Sequence, residues 1–204
     1  MKRIAVTFEH DHSDLSKIWK DYYSKYLDTK IVKIGDMLRH DWSATTNLLN
    51  SLQPELFKDY DLILFADVDE IVVPNPDKYK NLGDYLDRVT QDVIRCTGYN
   101  VIQMEGEPPI DLTKPILDQR DYWSRDQMYD KYVIITEPQQ YTSNHDIVNT
   151  KQPNSDLVML HLRDIDIDMA KSRNTKIGAA FDDNNVAVRR SIATEIPKVY
   201  RGII

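Results

Sequence analysis

The chain has 204 residues, of which 41% are hydrophobic and 29% are charged, and its formal net charge is -7. This composition predicts one globular domain over residues 1–204, and the acidic balance disfavours nucleic acids and anionic membrane surfaces as partners. A single cysteine, a polar N-terminus and the lack of any apolar run near the roughly 20 residues of a membrane span predict a cytoplasmic protein with no membrane span.

The first third of the chain predicts alternating strands and helices. Apolar, β-branched runs at residues 3–8, 30–34 and 62–66 are typical of strands. The spacing of apolar residues predicts helices over residues 13–26 and 43–57, each with a serine at its start as a candidate cap. Strands and helices that alternate at this spacing are typical of right-handed βαβ units with parallel strands.

The third predicted strand runs directly into a cluster of acids, Asp67-Val68-Asp69-Glu70. In an extended chain the side chains alternate, so the carboxylates of Asp67 and Asp69 point the same way while Val68 points into the protein. Two carboxylates that converge at the carboxyl end of a buried strand repel each other unless a hard cation bridges them. The pattern therefore predicts a divalent metal site, and the alternative is that the acids only solvate a turn.

In the remainder of the chain, the sequence predicts strands and helices in a less regular order. Two strands are expected to meet at Gly98 as a hairpin, and residues 105–128 show little periodicity. In that stretch, Tyr122 and Trp123 either stack on a sugar or pack the loop down. We therefore expect an α/β fold with a mixed, mainly parallel sheet. The other predicted elements are helices over 81–89 and from 187 onwards, strands over 92–97, 99–104, 132–135 and 156–162, and a turn at 182–185.

The segment Phe65-Ala66-Asp67-Val68-Asp69-Glu70-Ile71 resembles the DxD motif of GT-A-fold glycosyltransferases, which use nucleotide-sugar donors, and it is similar to compact enzymes of large DNA viruses. The resemblance implies a single GT-A-like domain. Residues 1–76 would form a Rossmann-like nucleotide-binding half that ends in the motif, and residues 77–204 an acceptor-binding half. It also implies Mn²⁺ or Mg²⁺ as cofactor, a UDP-sugar as donor, and a glycan or protein-linked glycan as acceptor.

The same resemblance assigns metal ligands. They are Asp67, Asp69 and His161, which lies near the end of the strand predicted at 156–162. Carboxylates with one imidazole fit Mn²⁺ or Mg²⁺ better than Zn²⁺. The alternative for His161 is a place in the core, and His145 is then the other candidate for the third ligand.

The resemblance also implies a donor site and a catalytic set. Asp67 and Asp69 are catalytic through the metal that stabilises the leaving diphosphate. An inverting enzyme further needs a carboxylate base, for which Asp126 and Glu107 are candidates together with Glu105 and Asp111, whereas a retaining enzyme needs none. The implied donor-binding residues are Thr7, Phe8, Glu9, Asp36, Asp67, Val68, Arg163 and Lys171.

Two other functions are alternatives to a glycosyltransferase. Asp67-Val68-Asp69-Glu70-Ile71 also looks like the motif of haloacid-dehalogenase phosphatases, in which the first aspartate is the nucleophile. That family carries the motif on its first strand, whereas two predicted βα units precede it here. The second alternative is a non-catalytic metal- or carbohydrate-binding module, whose acids would hold Ca²⁺ without a nucleotide.

Overall fold

Alternating strands and helices open the fold, as the sequence predicts. The computed structural model describes residues 1–9, 13–34, 42–151, 154–176 and 181–204. The first elements are β1 (Arg3–Glu9), α1 (Ser13–Tyr23), β2 (Asp28–Lys33), α2 (Trp42–Leu56) and β3 (Leu62–Phe65). Strand β1 pairs in parallel with β2 on one side and with β3 on the other. The predicted β-α-β-α-β order is therefore confirmed.

Apolar side chains cover both faces of this first sheet. Leu15 and Trp19 of α1 are buried in one cluster with Ala5 of β1, and Leu49 of α2 is buried in a second cluster with Val6. Successive residues of a strand point to opposite faces, so the two helices lie on opposite sides of β1. Strand β3 is apolar at every position because both of its faces are covered, whereas the edge strand β2 is partly exposed and carries charged residues.

The later elements complete one continuous sheet. In the described residues its strand order is β2-β1-β3-β7-β5-β6-β9, and β8 pairs with both β4 and β5. These elements are β4 (Glu70–Pro74), α3 (Leu82–Leu86), β5 (Val93–Ile102), β6 (Tyr122–Arg125), β7 (Tyr132–Ile135), β8 (Asn154–Asp164), α4 (Ile167–Lys176), α5 (Asp183–Ser191) and β9 (Thr194–Glu195).

The sheet is mixed but not mainly parallel. Parallel pairing is confined to β1 with β2, β1 with β3 and β5 with β8, and the other pairings of the described strands are antiparallel. The prediction of an α/β fold with a mixed sheet is confirmed, whereas that of a mainly parallel sheet is matched only in part. Parallel neighbours need a long crossover, usually a helix, and after β3 most strands are joined by loops and single 3₁₀ turns.

The hairpin predicted at Gly98 is wrong, because β5 runs through this residue as one strand of ten residues. A Cβ atom at Gly98 would lie 2.4 Å from Cβ of Tyr129, so glycine is required by a close approach and not by a turn. The Gly98 N–H also donates to Asp130 Oδ1 at 2.9 Å. The segment that carries Tyr129 therefore packs directly against β5.

Further differences lie in the second half. Asp182 caps α5 by accepting from the N–H groups of Asn184 and Asn185, so the acidic run predicted as a turn begins a helix. Strand β6 lies inside the stretch predicted to be irregular, and α4 was not predicted. Among the helices in the described ranges, none is both long and apolar enough to cross a membrane.

Candidate functional site

The acidic motif forms a turn between β3 and β4. The Glu70 N–H donates to the carbonyl of Asp67 at 2.9 Å, which closes the turn, and Val68 is buried beneath it. The carboxylates of Asp67 and Asp69 are 36% and 24% exposed. The expectation of an extended chain is therefore wrong, and the two carboxylates contact different neighbours.

Asp69 lies beside His161. Its Oδ2 is 3.4 Å from Nε2 of His161. The antiparallel pairing of β4 with β8 places Glu70 opposite His161, and the Leu162 N–H donates to the carbonyl of Asp69 at 2.7 Å. The sheet register thus holds the carboxylate and the imidazole together.

The imidazole of His161 is enclosed by β5 and by the 3₁₀ turn Gln127–Tyr129. Its Nδ1 is 2.8 Å from Oδ1 of Asn100, whose Nδ2 donates to Oδ2 of Asp126 at 3.2 Å. The ring of Tyr129 stacks on the imidazole with 4.0 Å between centroids. Sequence analysis identified His161 and Asp126 but missed Asn100 and Tyr129, since nothing local in the sequence distinguishes them from other strand and loop residues.

Asp67 is paired with Lys131 instead. The ammonium Nζ lies 3.1 Å from Oδ2 of Asp67 and 2.6 Å from Oε2 of Glu70. Glu70 Oε2 also accepts the Asp67 N–H at 2.7 Å. Burial lowers the pKa of Lys131, but the Asp67 and Glu70 carboxylates outweigh that effect and the pKa is raised. Burial, with a further contribution from Asp67, raises the pKa of the Glu70 carboxyl.

Lys131 is therefore a buried cation that braces the acidic turn, and sequence analysis missed it. The available signal was a lysine directly before the four-residue apolar strand Tyr132–Ile135. A charge at the start of a strand that is buried on both faces must be paired, because an isolated ammonium in the interior is very costly. Its partner could not be found from the sequence, since Asp67 lies 64 residues earlier.

Asp69 and His161 are placed to bind a metal ion whose other ligands come from water or a bound anion. In the described ranges, no group of three or more His, Cys, Asp or Glu side chains could hold an ion by itself. Two ligands bonded at about 2.1 Å and at right angles lie roughly 3 Å apart, which is close to the 3.4 Å between Asp69 Oδ2 and His161 Nε2. The remaining ligands would be water and oxygen atoms of a bound anion, which is the usual situation for Mg²⁺ beside phosphates.

Arginines surround this pair. Burial raises the pKa of the Tyr129 hydroxyl, and the nearby guanidinium groups of Arg189 and Arg163 oppose the shift. Arg173 donates to the carbonyl of Arg163; burial lowers its pKa, and the Asp69 carboxylate opposes that shift. Arg189 donates to Asp164 at 2.6 Å, so Arg163 and Arg173 are the arginines near the site whose charge could serve an anion.

Lys171 belongs to a different surface. Its Nζ lies 3.3 Å from Oδ1 of Asp183 and over the ring of Phe181, so it joins α4 to the start of α5. Arg163 was also predicted to bind the diphosphate, and it is exposed near Tyr129. Of the two predicted basic residues, Arg163 thus lies near Tyr129, which stacks on His161, whereas Lys171 pairs with Asp183.

A small cavity of about 10 Å³, room for about one water molecule, lies beside the acidic turn. Val6, Phe8, Leu49, Phe65 and Ala66 line its apolar part, and Asp67, Lys131 and Asn144 provide its polar groups. Among the predicted donor-binding residues, Phe8 and Asp67 are thus brought together.

The other predicted donor-binding residues lie elsewhere. Thr7 and Glu9 lie on the same face of β1 as Ala5, which is the face towards α1, whereas Phe8 lies on the opposite face. Thr7 is buried, and Glu9 accepts from the hydroxyl of Ser16. Val68 is part of the core. Asp36 lies outside the described residues.

The two candidate bases differ in position. Asp126 contacts Asn100 directly and lies 3.8 Å from Nη2 of Arg189. The side chain of Asn100 therefore lies between Asp126 and His161. Glu107 accepts the Met104 N–H at 2.7 Å and lies 3.8 Å from Nε of Arg120. Glu107 therefore closes a loop, whereas Asp126 belongs to the site.

Two further side chains complete the description. His145 lies on the Lys131 side of Tyr129, and burial together with Lys131 lowers its pKa. Trp123 is buried and stacks on Tyr99 with 4.3 Å between centroids, which fits the packing alternative.

Comparison with known proteins finds no matching family model and no matching curated protein for this chain.

Proposed function

We propose that this chain is a metal-dependent glycosyltransferase that transfers a sugar from a nucleotide diphosphate sugar, in the first instance a UDP-sugar, to a glycan or protein-linked glycan. The observation that carries the proposal is the pairing of Asp69 Oδ2 with His161 Nε2 at 3.4 Å. The resemblance of residues 65–71 to the DxD motif supports the same function. We also propose a cytoplasmic location.

Sugar transfer requires stabilisation of the negative charge that develops on the leaving diphosphate. A divalent cation supplies this as a Lewis acid when it is bound. Asp69 and His161 would hold Mn²⁺ or Mg²⁺, and Arg163 with Arg173 would add positive charge around the phosphates. An acidic protein can bind an anion in this way because the positive charge is concentrated at one place.

The nucleoside would lie against the Asp67 side of the acidic turn, because the Asp67 carboxylate is 36% exposed and can accept from the ribose or the base. Asp67 would thus serve the nucleoside while Asp69 serves the metal. This division of roles follows from the contact of Asp67 with Lys131 at 3.1 Å.

Asp126 is the carboxylate that we assign to the acceptor. It is partly exposed and belongs to the His161 cluster, so a hydroxyl bound above Tyr129 would lie near both the carboxylate and the sugar. A carboxylate in this position can accept the proton of the attacking hydroxyl, as an inverting reaction requires.

The test is a thermal-shift and calorimetric panel of UDP, dTDP, GDP and ADP with and without Mn²⁺. We expect UDP with Mn²⁺ to stabilise most, by about 2.7 kcal/mol at 100 times its dissociation constant. Stabilisation by Ca²⁺ with no effect of any nucleotide would indicate a binding module. Hydrolysis of p-nitrophenyl phosphate, lost in Asp67→Asn, would indicate the phosphatase.

A further inference from the structure

A row of buried polar side chains crosses four strands of the sheet. Glu70 of β4 lies opposite His161 of β8, His161 opposite Asn100 of β5, and Asn100 opposite Ser124 of β6. All four are buried, whereas neighbouring positions such as Leu160 and Val101 are apolar. Buried polar groups cost free energy unless they are hydrogen-bonded, so such a row requires a reason.

The hydrogen bonds in this row define the orientation of one amide. An ionised carboxylate can only accept, so Asp126 Oδ2 must face the NH₂ group of Asn100, and the observed contact is 3.2 Å. The carbonyl Oδ1 of Asn100 then faces Nδ1 of His161 at 2.8 Å. Because a carbonyl oxygen can only accept, the proton of this hydrogen bond belongs to Nδ1.

The same contacts determine the tautomer of the imidazole. A neutral imidazole with its proton on Nδ1 has its lone pair on Nε2. That atom lies 3.4 Å from Oδ2 of Asp69. Stacking on Tyr129 holds the plane of the ring, and the close approach at Gly98 holds Tyr129.

We infer that Asn100 is a positioning residue, which together with Asp126 fixes the Nδ1–H tautomer of His161 and so presents Nε2 and Asp69 as a preformed pair of donors to a divalent cation. The cation part rests on the proposed function, whereas the tautomer does not. Groups that orient a metal-bound histidine in this way commonly change metal affinity by about 10- to 100-fold when removed.

Nitrogen NMR of the imidazole measures the tautomer directly, without metal or substrate, at an alkaline pH where the ring is neutral. The ¹⁵N shifts of His161 should show a protonated Nδ1 and a bare Nε2 in the wild type. In Asn100→Leu we expect a mixture of tautomers, because Nδ1 loses its acceptor. Ser124→Ala is the matched control: it changes the next buried position of the row, where Ser124 Oγ makes no hydrogen bond within the described structure, and should leave the tautomer unchanged.

Mn²⁺ binding in the presence of UDP, followed by electron paramagnetic resonance, gives the second measurement. Asn100→Leu should weaken it about 10- to 100-fold, and Ser124→Ala should not. The double variant Asn100→Asp with Asp126→Asn exchanges the donor and the acceptor while keeping an acceptor at Nδ1. It should restore the tautomer, and it serves as the test if Asn100→Leu does not fold.

Two results would overturn the role of Asn100: a wild-type spectrum with the proton on Nε2, or an unchanged tautomer in Asn100→Leu. If the wild type showed the expected tautomer but bound no Mn²⁺ with UDP, the proposed function would fail while the role of Asn100 in fixing the tautomer would hold. The two failures are therefore distinguishable.

Discussion

Lys131 and Glu70 form a buried ion pair in which Nζ and Oε2 are 2.6 Å apart and the side chains are 3% and 2% exposed. The pair joins the start of β7 to the start of β4, two strands that are not hydrogen-bonded neighbours. Asp67 is the third member, through its contact with Nζ at 3.1 Å. The position of the acidic turn therefore depends on one ammonium group.

Lys131→Met should destabilise the fold strongly. Removing one partner of a buried ion pair leaves an uncompensated charge and costs about 3–5 kcal/mol, and here Glu70 and Asp67 would both lose their cation. Urea unfolding measures the change. The double variant Lys131→Met with Glu70→Leu should be more stable than Lys131→Met alone, and a single variant as stable as the wild type would contradict the assigned role.

The two aspartates of the motif should differ in their effects. Asp69→Asn should weaken Mn²⁺-dependent UDP binding by more than the about 10- to 100-fold that is typical for loss of an outer-shell partner, because the metal loses a carboxylate ligand. Asp67→Asn should keep the Mn²⁺ requirement, since Asp67 contacts Lys131. Calorimetry with UDP checks both variants, with the exposed Asp21→Asn as control. Equal loss of metal dependence in the two variants would refute the division of roles.

Arg120 should prove essential for stability although it lies outside the site. Its guanidinium is fully buried and donates to the carbonyls of Ile165 at 2.6 Å, Gln119 at 2.8 Å and Pro108 at 3.0 Å. In Arg120→Met the buried carbonyl of Ile165 loses its donor, at about 1–3 kcal/mol, whereas the part-buried carbonyl of Pro108 keeps the Nε2 of Gln103 as a donor. We expect chemical denaturation to show that the free energy of unfolding falls by about 1–3 kcal/mol.

The control for Arg120 is Arg88→Met, which removes an exposed pair with Asp84 within one helical turn. Such exposed pairs contribute little, so this variant should unfold close to the wild type. If both arginine variants behaved alike, the buried clamp on the three carbonyls would not be important.

Gly98→Ala should displace Tyr129 and so disturb the Asp69 and His161 site. The new Cβ would meet Cβ of Tyr129 at 2.4 Å, and overpacking of this kind costs about 1–3 kcal/mol. Because Tyr129 stacks on His161, Mn²⁺ binding should weaken together with stability. Gly106→Ala is the control, since Gly106 has a positive φ of 84° but open space around it, and should lower stability without altering metal binding.

Ionisation of the Cys96 thiol should lower the free energy of unfolding at alkaline pH. Burial raises the pKa of its thiol to about 12, whereas an unfolded cysteine has a pKa of about 8.5. Between these values the unfolded chain has lost the proton and the folded chain keeps it, so the free energy of unfolding falls by up to about 1.4 kcal/mol for each pH unit. From pH 8.5 to 10, the wild type should lose about 1.5 kcal/mol more than Cys96→Ala in urea titrations. Parallel pH profiles of the two proteins would show that the thiol is ionised equally in both states.

The sequence by itself determined the elements whose signal is local. Runs of apolar residues and helical spacing located β1, α1, β2, α2 and β3 correctly, because secondary structure of this kind depends on neighbours within a few residues. It also located Asp69 and His161, since each stands at or near the end of an apolar strand. The prediction failed at Gly98, where a glycine that permits close packing has the same local appearance as a glycine in a turn.

Only the tertiary structure decided which partner each charged group has. Lys131 meets Asp67 across 64 residues of chain, and Asn100 meets His161 across 61. The antiparallel course of the later strands likewise follows from how they pack, since β4 and β7 are buried on both faces and therefore show the continuous apolar runs that are typical of parallel strands. Buried polar groups acquire their roles from partners brought together by the sheet register, and those partners lie far apart in sequence.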